Sequence, residues 1–134
     1  MPSPLRSTAL ALSLALSAAL APGVAPAQDL LEEYVAVIGQ RDLYNSKGLR
    51  LTEPWQILRQ DRANFHRYGL RDPGDQGDRF FADMANRGAM EQMLMRGWMD
   101  PAAARDIVVG GASVVVRIWG RGGRGDHVTV EVWR

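Results

Sequence analysis

The chain has 134 residues, no cysteine, and sixteen basic against fifteen acidic side chains. Lacking cysteine, it has no disulfides, no thiolate catalysis and no cysteine-borne lipid anchor. Its two histidines leave too few imidazole ligands for an ordinary zinc site.

The first 27 residues read as an address rather than as structure. Arg6 gives a positive start, Thr8 to Ala21 reads TALALSLALSAALA, and Pro22-Gly23 ends the apolar run. Ala25-Pro26-Ala27 puts small residues at positions −3 and −1 before Gln28, which completes the pattern of a secretory signal peptide. The run is also shorter than the ~20 apolar residues that span a bilayer. Cleavage there leaves residues 28–134 as a single small domain. Only Arg6 is lost from the sixteen basic residues, so fifteen positive charges meet fifteen negative ones and the net charge is zero. That balance offers no long-range attraction to nucleic acid or anionic membranes. The expected location is the periplasm, with no nucleic-acid partner and no stable membrane insertion after cleavage.

Residues 29–38 open with Asp29, Glu32 and Glu33 and continue into Tyr34-Val35-Ala36-Val37-Ile38. Helix followed by strand, or strand alone, both fit so short a run. The stretch 41–51, RDLYNSKGLRL, holds the turn set Asn45-Ser46-Lys47-Gly48 and predicts a loop or irregular hairpin. Leu51 to Gly69 then gives the clearest helix. Thr52 is placed to cap it, Pro54 fits its first turn, and Trp55, Leu58, Arg62 and Phe65 recur at spacings of three and four. The link LRDPGDQGD follows, and Asp78 is placed to cap a second helix through Phe80, Phe81 and Met84. The stretch is either one helix with a weak point near Asn86 to Gly88 or two short helices with Asn86 as the second cap, with an expected Asp83–Arg87 surface pair and an apolar continuation through Met93, so the sheet has three or four helices to pack against. Asp100-Pro101 restarts a short helix that ends at Gly110-Gly111.

The period then changes to two. Val114, Val116 and Ile118 share one face, as do Val128, Val130 and Val132, with glycine-rich residues 120–125 between the two runs. The predicted fold class is therefore α+β. A small antiparallel sheet holds 113–119 and 127–133, with 34–38 as a third strand, and packs against helices near 53–67, 78–96 and 101–109.

Candidate chemistry concentrates in 41–68. Tyr44, Asn45, Arg50, Arg62, His66 and Tyr68 are the expected ligand-binding residues, with the cations orienting an anionic or amide-bearing partner and the tyrosines packing against it. The plainer account has the same polar groups fastening the loop to the helix, with Arg62 paired to an acid such as Asp42. A hydrolase reading uses His66 as general base, Asp42 or Asp61 as its orienter, and Ser46 or a water as nucleophile. The helical spacing argues against an Asp61–His66 dyad, which places the two about 140° apart. Asp72, Asp75 and Asp78 invite comparison with a calcium loop, but their order is not that of an EF-hand, and a solvated loop is preferred. Arg121 and Arg124 in GRGGRG read as a hairpin tip. Trp119 and Trp133 fall on the sheet face opposite the valines and require cover, either from the chain itself or from an envelope protein or a second copy. No metal and no cofactor are expected. The leading expectation is a periplasmic, non-catalytic binding or protein-interaction domain.

Overall fold

A computed structural model describes residues 1–4, 17–18 and 27–134. The signal-peptide pattern at 5–26 lies outside the described residues, apart from 17 and 18. Along the chain come β1 (Asp29–Val37), α1 (Pro54–His66), α2 (Met84–Gly88), α3 (Met90–Arg96), β2 (Trp98–Met99), α4 (Pro101–Val109), β3 (Ser113–Arg121) and β4 (Arg124–Val132). Short 3-10 turns stand at Gln40–Leu43 and Phe80–Ala82. The fold is α+β, with four strands in the order β1-β3-β4-β2.

The alternating valines of β3 and β4 make the expected antiparallel hairpin, with Val116 opposite Val130 and Ile118 opposite Val128. All four are fully buried. Gly122 and Gly123 join the strands at φ +56° and +78°. Two successive left-handed residues are what a type I′ hairpin needs, so the strands run further into the glycine-rich stretch than sequence period suggests. The expected third strand is present and longer than 34–38. β1 pairs antiparallel with β3 from Asp29 onward, putting Tyr34 opposite Val116 and Ala36 opposite Val114. An open row of backbone groups on β3 gives residues 29–33 a ladder that a helix of one turn does not match.

β2 is the strand that sequence period missed. It pairs in parallel with β4 at Thr129 and Val130, which makes the sheet mixed. Two residues are too few to show alternation, and Asp100-Pro101 stops the strand at once.

The helices cover one face only. Ile57 and Leu58 of α1, Met90 and Met93 of α3, and Ala103 and Ile107 of α4 meet the sheet valines in one buried cluster. α1 starts at Pro54 behind Glu53 rather than Thr52, and the Glu53 N–H donates to Gln56 Oε1 at 3.3 Å. The region 78–96, expected as one helix with a weak point or as two short helices, is divided. Asp78 accepts from the Phe81 N–H and so caps a 3-10 turn. Asp83 caps α2 by accepting from Ala85 and Asn86, and Ala89 separates α2 from α3. Each aspartate satisfies the first donors of its own turn, which favours short helices over a continuous one. The expected Asp83–Arg87 pair does not form. Arg87 is buried and donates to the carbonyls of Phe81 and Ala82 instead.

Candidate functional site

Two polar assemblies lie on the helix side of the molecule, one closed and one open. The closed one is centred on Arg62, which the stripe of α1 carries into the core, where it has no exposed surface. Its Nε donates to Asp61 Oδ2 at 2.7 Å, and its Nη1 donates at 3.0 Å to both Asp78 Oδ1 and the Gln76 carbonyl. The guanidinium carbon sits 4.2 Å from the Tyr34 ring centroid and 4.6 Å from that of Phe65. His66 Nε2 shares Asp78 Oδ1 at 2.8 Å. Burial holds the Asp61 carboxyl well above the usual carboxylate range, against the opposing pull of Arg62. Burial likewise raises the Tyr34 phenol. This assembly fastens α1 to β1 and to the 72–78 loop. Arg62 therefore does not reach a ligand surface, and its partners are Asp61 and Asp78 rather than Asp42.

The 72–78 loop is part of the same fastening, not a solvated link. Asp75 accepts from Val37 N–H at 2.6 Å and from Asp72 N–H at 2.8 Å. Gln76 Oε1 accepts from Val35 N–H, and the Gln76 N–H returns a bond to the Val35 carbonyl. Asp75 and Gln76 are thus spent on the free edge of β1, while Asp78 holds Arg62 and His66. Among the described residues no group of His, Asp or Glu is arranged to hold a metal ion.

The open assembly is a groove of about 550 Å³. One wall is a small hairpin. The Asn45 N–H donates to the Leu49 carbonyl, Asn45 Oδ1 accepts from Lys47 and Leu49, and Tyr44 bridges to Arg50. Asn45 thus makes the turn and lines the groove beside Tyr44 and Ser46. Gln40 and Arg41 extend this wall from the preceding 3-10 turn. α1 supplies Gln60 and Asn64 one helical turn apart, and Tyr68 and Leu70 close the far side. Tyr44 and Tyr68 are 42% and 47% exposed.

Behind the groove Asp42 is buried, accepting from the Gly39 N–H at 2.9 Å and from Asn64 Nδ2 at 2.8 Å. Asn64 Oδ1 in turn accepts from Gln60 Nε2 at 2.9 Å. Burial pushes the Asp42 carboxyl up to about 6, although both hydrogen bonds pull the other way.

Of the six expected ligand residues, the groove brings together Tyr44, Asn45 and Tyr68. Arg50 is turned away. Its guanidinium donates to the carbonyls of Leu51 and Val108 and lies 5.9 Å from the Tyr44 centroid. Arg62 and His66 belong to the closed assembly, whereas Ser46 lines the groove. Among the described residues no hydrogen bond joins Ser46 to His66, Asp42 or Asp61. Gln60, Asn64 and Arg41 complete the groove; the i,i+4 spacing of Gln60 and Asn64 was visible in the sequence, but amides on a helix flank carry no distinctive signature.

Helices α1, α3 and α4 pack on the valine face, and the opposite face of the sheet carries the tryptophans. Trp119 stacks on His127 with ring centroids 6.2 Å apart and donates to Thr129 Oγ1 at 3.0 Å. Arg117 bridges Glu33 and Glu131, both at 2.7 Å. Trp98, which pairs with Thr129, and Trp133 are each about half exposed. Residues 29–37 do not lie over the tryptophans but join the sheet as β1 beside β3. No helix among the described residues is long and apolar enough to cross a membrane. Compared with protein-family models, curated proteins and solved structures, the chain matches none.

Proposed function

We propose that this chain is a non-catalytic binding protein of the cell envelope, exported to the periplasm, which holds a polar, amide-bearing ligand in the groove between the Asn45 hairpin and α1. The observation that supports the reading is the composition of that groove. It combines two half-exposed tyrosines with the amides of Gln40, Asn45, Gln60 and Asn64, yet its lining contains no carboxylate or imidazole to move a proton. Export rests on the N-terminal sequence pattern. The anionic alternative is weaker because Arg50 and His66 are engaged elsewhere and Arg62 is interior; Arg41 is the cation that remains at the groove. The uncovered tryptophans on the far face suit a protein partner and extend the same reading.

The test is an NMR titration of the isotope-labelled full chain with the low-molecular-weight fraction of cell envelopes. Shifts concentrated at 40–46, 60–64 and 68–70, and lost in Tyr44→Ala/Tyr68→Ala, are the expected result. Shifts confined to other surfaces would remove the groove from the account, and turnover of the ligand would remove the word non-catalytic.

A further inference from the structure

Resting on that reading, we infer that the groove takes an N-acetylated saccharide, recognising its acetamido group through Gln60 and stacking its sugar rings against Tyr44 and Tyr68. Asp42 sets the orientation of the amides in front of it. An ionised carboxylate only accepts hydrogen bonds, so the Asn64 amide must turn its NH₂ toward Asp42. That fixes the Asn64 carbonyl toward Gln60, which must answer with its own NH₂. Gln60 is left with one N–H and its carbonyl oxygen, neither bonded to any other described residue. These two form an adjacent donor and acceptor in the groove.

A trans secondary amide points its carbonyl and its N–H in opposite directions, so the acetamido carbonyl takes the free Gln60 N–H and the Gln60 carbonyl accepts from the neighbouring ring hydroxyl. A sugar with a hydroxyl in place of the acetamido group does not reach both Gln60 groups with the same spacing, and a site built on such bonds rejects analogues that leave its polar groups unpaired. Asp42 acts through Asn64 and is a positioning residue.

The rest of the groove chooses between the two common carriers of secondary amides. Of the ways peptides are held, strand addition needs a free sheet edge and helix docking needs an apolar groove. Here the edge of β1 is occupied by Asp75 and Gln76, and the groove is broad and open. Exposed tyrosine rings beside amide side chains instead suit a pyranose, which offers an apolar ring face and polar substituents at its rim.

The experiment is calorimetric titration of the full chain with tetra-N-acetylchitotetraose, with cellotetraose as the hydroxyl analogue and trialanine as the peptide control. We expect the acetylated sugar to bind at least about tenfold tighter than cellotetraose. Gln60→Ala should abolish that ratio, and Tyr68→Ala should weaken both sugars. Asp42→Asn should shrink the ratio even when its circular dichroism matches the parent, an effect that a purely structural role would not produce. Equal binding of both sugars overturns the acetamido inference but leaves the groove a binding site. Binding of trialanine alone overturns the saccharide and keeps the groove. No binding by any probe, together with no groove shifts from envelope material, overturns this inference and the proposed function together.

Discussion

Asp42 joins stability and recognition in one carboxyl group. Its pKa is held at about 6 in the folded chain against 3.8 when unperturbed. A raised folded value means that the native state binds the proton more tightly, so this group's contribution to stability is greatest in acid and declines as pH rises from about 4 to 6. A tenfold change in proton affinity is worth about 1.4 kcal/mol, so the decline is of order 2 kcal/mol. Asp72 and Asp75, from the loop, are carboxylates close to Asp42 and reinforce the rise. Urea unfolding at a series of pH values should show this slope in the parent and a flatter one in Asp42→Asn. A parent profile that rises steadily between pH 4 and 6 would contradict the assignment. Arg62 is the other single residue on which much depends. Arg62→Ala leaves Asp61 and Asp78 buried without their cation, and breaking such a pair costs about 3–5 kcal/mol. Typical domains have only about 5–15 kcal/mol in hand, so the variant should be largely unfolded near 37 °C by circular dichroism.

Among the elements, β2 is held by a glycine. A Cβ at Gly97 would stand 1.8 Å from the Val128 carbonyl oxygen, a backbone atom that cannot swing aside. Gly97→Ala should therefore push β2 off β4, break the Asp100 N–H bond to Val130 and cost about 3 kcal/mol, read as a lower urea midpoint. An unchanged midpoint would mean that β2 contributes nothing to the sheet. The same strand shows what sequence could and could not disclose. β3, β4 and α1 were legible because each repeats its period several times and carries its own boundary signal, Gly122-Gly123 between the strands or Pro54 at the helix start. β2 was not, since two residues have no period and its partner lies thirty positions away. Over 78–96 the break near 86–88 was legible but the pattern of caps was not, because Asp78 and Asp83, rather than Asn86, each cap a turn of their own, a competition invisible to hydrophobic spacing. At the groove, the tyrosines and Asn45 stood out as residue types. The roles of Arg50 and Arg62 did not, because whether a cation faces solvent or a carbonyl depends on chain brought in from Val108 and Gln76.

The whole molecule is a two-layer body with its helices on one face of the sheet and tryptophans on the other. Its sheet edges are poorly suited to strand exchange: Asp75 and Gln76 occupy β1, and β2 ends after two residues. Contact with another chain through the sheet would therefore be made face to face, across Trp98, Trp119 and Trp133. In the free chain the three differ in what they hold. Trp119 is stacked on His127 and bonded to Thr129, whereas Trp98 and Trp133 each leave about half their surface in water. Trp119→Ala should then cost about 2 kcal/mol, and Trp98→Ala and Trp133→Ala about 1 kcal/mol or less each. None of the three should alter binding in the groove, which opens from the helix layer and shares no residue with this face. Urea midpoints measured at two protein concentrations decide the matter. Unequal costs that do not change with concentration are the expected result for a chain whose tryptophan face is open. Three large, equal costs that shrink on dilution would instead show the face already covered by a second copy, and the surface proposed for an envelope partner would have to be sought elsewhere.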